Sequence, residues 1–258
     1  MAYANSNGVR IRYEIEGSAP PLVLHIGFMG ALEDWADAGY VGALQDRYRL
    51  IMIDPRGQGQ SDKPHDPAAY ALPLRVADVA AVLDALTIRH AHYFGYSMGG
   101  WIGFGLAKYA PERVRTLILG GAHPYAEPLQ ARQTIMNQGL DAFIAASERF
   151  LGCHMTPTLR ARLMATDLHA LRAQTHDRSS IADVLPRMAM PCLLFAGETE
   201  PRLPDVQMCM QHIPNVTFFV VPGCDHMGAW ARSDLVLPHV TTFLAQYTHT
   251  HIPQTGSE

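Results

Sequence analysis

Short, almost continuous apolar runs alternate along the chain with longer stretches in which apolar residues recur at helical spacing. The apolar runs are Leu22–Ile26, Leu50–Ile53, His92–Phe94, Leu117–Leu119, Leu193–Phe195 and Phe218–Val221. Such runs are typical of strands buried on both faces of a parallel sheet, while the alternation in Val9–Ile15 indicates an edge strand or hairpin arm. Helical spacing follows in Leu74–Leu86, Gly100–Tyr109 and Leu235–Tyr247. We therefore predict an α/β fold with a doubly wound, mostly parallel sheet and ligands at the carboxyl ends of its strands.

The alternation stops between about His123 and Met188, where only helical patterns occur. These patterns are Leu129–Gln138, Leu140–Leu151, Thr158–Ala165 and Asp167–Thr175. Because the segment begins and ends inside the sheet pattern, we predict a helical cap inserted between core strands and folded over the carboxyl edge, rather than an independent domain. The predicted organisation is a core of residues 1–122 and 189–248, a cap of residues 123–188 and a flexible tail of residues 249–258.

Composition excludes several classes of protein. The 258 residues suffice for a large core, and 48% apolar with 17% charged residues indicate a globular chain rather than a disordered one. A net charge of −4 offers no basic field for nucleic acid or an anionic membrane. The N-terminus has no signal-peptide pattern and no apolar stretch has membrane-spanning length, so we expect a cytoplasmic location.

Neither the cysteines nor the histidines have the spacing of a metal site. The 4 cysteines are scattered without a C-x-x-C pair, which favours reduced thiols over a disulfide framework. Most of the 13 histidines stand on segments without a second ligand at a suitable distance along the chain. We expect no metal ion and no cofactor.

The run Gly95–Gly100 carries the strongest chemical signal. Ser97 lies between Gly95 and Gly99, after a predicted strand and before a predicted helix, which is the G-x-S-x-G arrangement of a nucleophile elbow. Flanking glycines let neighbouring segments approach a strained turn, and the helix N-terminus directs free N–H groups at an anion formed there. Ser97 is therefore the candidate nucleophile, against the alternative of an ordinary glycine-rich turn.

A serine hydroxyl needs a base, and the C-terminal third supplies one. His226 stands in a predicted loop just after the run Phe218–Val221, and histidine can accept a proton and return it near neutral pH. A carboxylate must orient this base, and Glu198 and Glu200 follow the run Leu193–Phe195. The chain order serine, acid, histidine matches that of the α/β-hydrolases.

Over essentially its whole length, the chain resembles the α/β-hydrolase superfamily, and within it the small cap-bearing serine esterases and lactonases. The resemblance rests on the elbow, on the run Gly223–His226, and on Ile53–Ser61, which is similar to the family's D-x-R-G-x-G-x-S turn. That turn is expected to be structural, with Asp54 and Arg56 holding the loop.

The resemblance also implies the remaining site residues. The family usually has Asp in a Gly-x-x-Asp-Pro context, and here Glu200 occupies that place, so Glu200 is the expected acid, with Glu198 and Asp205 as reserves. The family's oxyanion loop is commonly His-Gly-x. In this chain Ile26-Gly27-Phe28 aligns with it, and the resemblance implies that the backbone N–H groups of Phe28 and Met98 form the oxyanion hole.

These residues predict a serine hydrolase that cleaves a small carboxylic ester or lactone through an acyl-enzyme. Candidate pocket residues are Trp35, Tyr125, Phe143 and Met227. Alternatives on the same triad are an aminopeptidase-like amidase, a C–C bond hydrolase and a perhydrolase, and an alternative of another class is a ligand-binding receptor. The expected partner is a small-molecule substrate, with no nucleic acid and no membrane. The oligomeric state stays open.

Overall fold

The structure is a computed structural model that describes residues 2–18, 20–151, 155 and 157–248. The predicted tail of residues 249–258 lies outside these residues. Eight strands form one sheet: β1 (Ala2–Ser6), β2 (Val9–Glu16), β3 (Pro21–His25), β4 (Arg49–Ile53), β5 (Ala91–Tyr96), β6 (Val114–Gly120), β7 (Cys192–Gly197) and β8 (Val216–Val221).

The order across the sheet is β1-β2-β4-β3-β5-β6-β7-β8. The first two neighbouring pairs, β1 with β2 and β2 with β4, are antiparallel, and every later pair is parallel. In the central register, Leu24 of β3 faces Met52 of β4 on one side and Phe94 of β5 on the other. The parallel strands therefore end along one common edge.

Helices cover both faces of this sheet. They are α1 (Asp34–Asp37), α2 (Tyr40–Leu44), α3 (Leu72–Ala85), α4 (Met98–Tyr109), α5 (Gln130–Met136), α6 (Leu140–Leu151), α7 (Pro157–Met164), α8 (Leu168–Ala173), α9 (Leu203–Met210), α10 (His226–Ala231) and α11 (Ser233–Thr248). Helices α3, α4 and α9 contribute to the core on one face, and α1, α2 and α11 to the core on the other. The predicted doubly wound, mostly parallel α/β fold is confirmed.

The segment between β6 and β7 contains α5 to α8, and we call it the cap segment. Its helices begin and end within a few residues of the predicted ones. An isolated antiparallel bridge joins Glu127, near its start, to Arg178, near its end. Phe143 of α6 packs with Met136 and Leu171 in a separate apolar cluster that also contacts Phe28 of the core. The cap segment is therefore closed by its own bridge and contacts the sheet's carboxyl edge.

The sequence pattern missed α1, α2 and three elements nearer the chain ends or the site. Strand β1 pairs with β2 as a hairpin, although Ala2–Ser6 is too polar to read as a buried strand. Helix α9 follows β7, where the pattern shows only a turn. His226 was expected in a loop but begins α10, because the Asp225 carboxylate accepts a hydrogen bond from the Gly228 N–H at 2.6 Å and caps the helix.

Strand β8 also differs from its expected environment. Phe218 and Phe219 belong to an apolar run, yet both are only half-buried. The reason is topological, since β8 is the last strand of the sheet and has a neighbour on one side only.

Candidate functional site

Ser97 occupies a sharp turn between β5 and α4. Its backbone has φ 55° and ψ −114°, a left-handed conformation that is costly for a residue with a side chain. Glycines on both sides make the turn possible. A Cβ atom on Gly95 would lie 2.3 Å from the Gly99 carbonyl oxygen, and one on Gly99 would lie 2.0 Å from the His25 carbonyl oxygen. The two glycines of the G-x-S-x-G motif are therefore required by close backbone packing.

The structure brings Ser97, His226 and Glu200 together at the carboxyl edge. The Nε2 atom of His226 lies 3.0 Å from Oγ of Ser97, and its Nδ1 atom lies 2.5 Å from Oε1 of Glu200. Both His226 and Glu200 are buried. The Tyr96 hydroxyl donates a hydrogen bond to the His226 carbonyl oxygen and fixes the backbone that carries the imidazole. A serine hydroxyl, an imidazole and a carboxylate thus form one continuous hydrogen-bonded chain.

Glu200 is the acid that contacts His226, and the two reserve candidates lie elsewhere. The Glu198 carboxylate accepts a hydrogen bond from the Gly223 N–H at 2.7 Å. Asp205 lies 3.7 Å from Nε2 of His123 and is 42% exposed. Burial raises the pKa of Glu200. Its hydrogen bond to His226 and the nearby Arg202 guanidinium lower that pKa by more than burial raises it, so the pKa lies below its usual value. The Glu200 carboxylate is charged at neutral pH and favours an N–H on Nδ1 of His226.

The residues expected to form the oxyanion hole are Phe28 and Met98. Met98 is the first residue of α4, and the N–H groups of a helix's first turn have no acceptor within the helix. Gly27, the residue before Phe28, lies so close to Ser97 that a Cβ atom on it would be 3.0 Å from the Ser97 Cβ. The two residues expected to supply the oxyanion donors thus lie on separate segments that both adjoin Ser97.

Gln58 holds the loop that carries Phe28, and the sequence analysis did not single it out. Its buried side chain donates from Nε2 to the Gly27 carbonyl oxygen at 3.2 Å and accepts a hydrogen bond from the Met29 N–H. The two bonds bracket Phe28 on both sides. His25, which stands near the place of the family's usual loop histidine, is instead buried in the sheet with Nδ1 2.8 Å from the Tyr93 hydroxyl. Gln58 therefore supplies the orientation of this loop.

A cavity of about 1350 Å³ opens above Ser97 and His226. Phe28, Phe143 and Met227 line it, together with apolar residues of α5 and α6. Two tryptophans, Trp101 of α4 and Trp230 of α10, also contribute to its wall. The cavity therefore lies between the sheet edge and the cap segment.

The prediction that Trp35 and Tyr125 line the pocket is wrong. Trp35 is 0% exposed and packs in the core, with its ring centroid 4.5 Å from that of Trp230 and 4.9 Å from that of Phe94. Tyr125 lies outside the cavity wall and stacks on His123, with ring centroids 5.8 Å apart. Both errors have the same cause, since a large aromatic side chain near the site in sequence can as easily pack below the pocket as into it.

Three arginines of the cavity wall, Arg132, Arg178 and Arg202, were not predicted. They come from three distant segments, so no local motif could have indicated them. Among the described residues, no group of three or more His, Cys, Asp or Glu side chains could hold a metal ion. A search of the same residues finds no helix with the length and apolar character needed to cross a membrane.

The fold and the site define an α/β hydrolase. A sequence profile of the alpha/beta hydrolase fold matches residues 20–168, and the chain therefore belongs to that family. The chain is a hydrolase of this fold, as its resemblance to the α/β-hydrolases implied.

Its relatives carry the names of several hydrolases. The 3-oxoadipate enol-lactonase 2 of Acinetobacter baylyi is 32% identical over 232 residues, which cover 83% of this chain and 85% of that protein. A Stutzerimonas stutzeri protein provisionally named carbamate hydrolase RutD is 28% identical and covers 87% of this chain and 92% of its own length. The crystal structure of a hydrolase from Pseudomonas aeruginosa, 27% identical, superimposes with a TM-score of 0.83 over 94% of this chain and 97% of that one.

Proposed function

We propose that this protein is a serine hydrolase that cleaves a small carboxylic ester or lactone through an acyl-enzyme. The observation that carries the proposal is the chain from Glu200 through His226 to Ser97, with contacts of 2.5 and 3.0 Å at the floor of the cavity. Such a chain activates a hydroxyl that is a weak nucleophile by itself.

The reaction follows from the placement of these groups. Ser97 Oγ attacks the substrate carbonyl while Nε2 of His226 takes the hydroxyl proton, and Glu200 stabilises the resulting imidazolium. The Phe28 and Met98 N–H groups bind the oxyanion. When the tetrahedral intermediate collapses, the proton passes from His226 to the leaving oxygen. Water then attacks the acyl-enzyme with His226 again as base, which releases the acid and restores Ser97. With a lactone, the leaving hydroxyl stays attached to the acyl group.

The charges of the cap segment disfavour the aminopeptidase alternative. A free substrate amine would need an unpaired carboxylate in the cavity, but Glu127 is bound by Arg178 at 3.0 Å and by Arg202. Asp141 pairs with Arg160 at 2.7 Å, and Glu148 accepts a hydrogen bond from the Met155 N–H at 2.9 Å. The enol-lactonase relative further supports ester or lactone cleavage.

A covalent label tests the proposal directly. Treatment with a fluorophosphonate should place one adduct on the peptide that contains Ser97, read by mass spectrometry. Ser147 lines the same cavity and serves as a matched control, so Ser147→Ala should be labelled like the wild type. Rates on p-nitrophenyl esters of increasing acyl length, beside a panel of lactones, then separate esterase from lactonase activity. Absence of both label and turnover would favour the receptor alternative and refute the proposal.

Gln58→Leu should lower kcat about 10- to 100-fold with little change in KM, because Gln58 positions the Phe28 N–H and does not touch the substrate. This loss is smaller than the roughly 10²–10³ expected when an oxyanion donor is removed outright. Gln58→Glu, which can still accept from the Met29 N–H, should retain more activity. Gln60→Leu is the control, since the Gln60 side chain is exposed two residues away. An unchanged kcat in Gln58→Leu would contradict this role.

Phe143→Leu should change which acyl lengths are preferred, with a smaller effect on a small activated ester. The Phe143 ring meets the Phe28 ring edge-on, with centroids 6.3 Å apart, at the cavity wall. A smaller side chain opens space there, so relative rates should shift severalfold toward longer acyl groups. Tyr125→Leu provides the same kind of change outside the cavity and should leave the profile unaltered. A uniform loss across all esters in Phe143→Leu would count against a specificity role.

A further inference from the structure

Three guanidinium groups form one wall of the cavity, and we call Arg132, Arg178 and Arg202 the arginine wall. Arg132 belongs to α5, Arg178 follows α8, and Arg202 directly precedes α9. All three line the cavity that contains Ser97. Guanidinium groups are costly to remove from water, so several of them in one pocket need negative charges nearby to offset that cost.

The carboxylates at this wall do not balance the arginines. Glu127 is the partner of both Arg178, at 3.0 Å, and Arg202. Arg132 has no ion pair or hydrogen bond to any described residue, and its guanidinium carbon lies 5.9 Å from the centroid of the Phe28 ring. One carboxylate thus faces three guanidinium groups.

The other charged groups of the cavity are already engaged. Arg162 pairs with Asp34 at 2.6 Å and with Asp37 at 3.5 Å. Asp225 caps α10 through the Gly228 N–H. Glu200 is bound to His226, while burial lowers the pKa of His123 and disfavours a charge on its ring. The excess positive charge at the arginine wall therefore has no counter-charge among the described residues of the cavity.

The pKa values are consistent with this excess. Burial and the nearby Arg202 lower the pKa of Arg132 by more than the Glu127 carboxylate raises it. Burial also lowers the pKa of Arg178, to about 10, although Glu127 acts in the opposite direction. Both guanidinium groups remain charged at neutral pH, so a bound anion would relieve both their desolvation and their mutual repulsion.

The arginine wall adjoins each part of the reacting site. Arg132 lies over the ring of Phe28, whose backbone N–H is an expected oxyanion donor. Arg178 lies over the Trp101 ring at 4.4 Å, and the backbone N–H of Trp101 donates to the Ser97 carbonyl oxygen at 3.0 Å in the first turn of α4. Arg202 stands two residues after Glu200. An anion bound here would belong to the same small molecule whose carbonyl group reaches Ser97.

We propose that the substrate is an ester or lactone that carries a second, free carboxylate, and that Arg132 is its principal binding residue, with Arg202 and Arg178 supporting it. This inference rests on the proposed serine hydrolase function. The planar fork of a guanidinium matches a carboxylate through two parallel hydrogen bonds, and such charge-assisted pairs are strong in a partly desolvated pocket. Arg178 and Glu127 also close the cap segment through their bridge, and Arg202 pairs with Glu127, which leaves Arg132 as the guanidinium of the wall that no described carboxylate binds directly.

The test compares half-esters with uncharged partners of the same shape. Monomethyl succinate, glutarate and adipate are each paired with the methyl ester whose free carboxylate is replaced by a primary amide, and methanol release is measured. For at least one length, kcat/KM should favour the half-ester by about tenfold or more. Arg132→Gln should bring this ratio close to one. Arg162→Gln removes an arginine of the same cavity that is already paired, and it should leave the ratio unchanged.

Binding without turnover separates this inference from the proposed function. In a Ser97→Ala background, calorimetry should show tighter binding of the half-ester than of its amide partner, and Arg132→Gln should remove the difference. Arg132→Lys keeps the positive charge but lacks the planar guanidinium, and it should give an intermediate preference for the half-ester. This variant also tests the proposal if Arg132→Gln does not fold. Neutral esters cleaved with no half-ester preference would overturn the carboxylate site and leave the hydrolase proposal standing. Half-ester binding that depends on Arg132, without turnover of any ester or lactone, would support the carboxylate site and overturn the hydrolase proposal.

Discussion

Ser97→Ala is expected to lower kcat for ester hydrolysis by about 10⁴- to 10⁶-fold and to abolish fluorophosphonate labelling. The reason is that the covalent route disappears with the hydroxyl, while the N–H groups of Phe28 and Met98 remain to assist only a direct attack by water. Any rate that remains measures how far these N–H groups accelerate the direct attack by water. The variant should fold normally, because alanine adopts the strained turn no less readily than serine and the side chain is small.

Ser147→Ala shows whether the loss is specific to the elbow. It removes a hydroxyl from the wall of the same cavity, away from the contact with His226, and its kcat should equal that of the wild type. Rates are compared on one activated ester at saturating concentration, with thermal denaturation to verify folding. Full hydrolysis by Ser97→Ala would refute the acyl-enzyme mechanism.

Glu200→Gln is expected to lower kcat by up to about 10⁴-fold, with KM much less affected. An amide in place of the buried carboxylate can present its NH₂ group to Nδ1 of His226. It then favours the tautomer whose proton points at Ser97, and the imidazole can no longer accept the hydroxyl proton. The imidazolium formed during the reaction also loses its counter-charge. The measurement is kcat as a function of pH for wild type and variant on the same ester.

Glu198→Gln and Asp205→Asn are the matched controls, since both carboxylates lie nearby without reaching His226. Both should be close to neutral. If either variant is crippled while Glu200→Gln keeps its activity, the assignment of the acid is wrong, although the hydrolase proposal survives.

The lowered pKa of Glu200 also predicts the sign of a stability effect. A carboxyl whose pKa is depressed by folding stabilises the protein above its unfolded pKa of about 4.3, and that contribution is lost as the pH falls through the folded value. Glu200→Gln lacks the contribution at every pH. The difference in unfolding midpoint between wild type and Glu200→Gln should therefore shrink as the pH is lowered below about 4, and a constant difference would contradict the cited shift.

The parallel strands, their order along the chain and the elbow could be predicted because each depends on a local pattern. A strand buried on both faces must be apolar throughout, and the elbow needs glycines at two fixed positions beside Ser97 because backbone atoms approach there. His226 and Glu200 were found by their positions after successive strands, since parallel strands end along one edge. The choice between Glu198 and Glu200 needed the resemblance, because both follow β7 within three residues.

Only the tertiary structure could decide which side chains line the cavity. Trp35 and Phe143 are both large and apolar, and nothing local distinguishes the one that packs under the pocket from the one that faces it. Gln58 holds the loop that carries Phe28 from a turn about thirty residues away. Its hydrogen bond to the Gly27 carbonyl oxygen can be recognised only once the fold brings the two segments together.

The amino-acid sequence by itself determined the alternating architecture, the strained serine and the base, because the hydrophobic period and the steric demands of glycine act within a few residues. The arginine wall was decided by tertiary structure alone. Arg132, Arg178 and Arg202 come from segments tens of residues apart, and an excess of charge is a property of a shared volume rather than of any stretch of chain. The proposed reaction thus rests on local pattern, whereas the proposed carboxylate site depends on how the cap segment packs against the sheet.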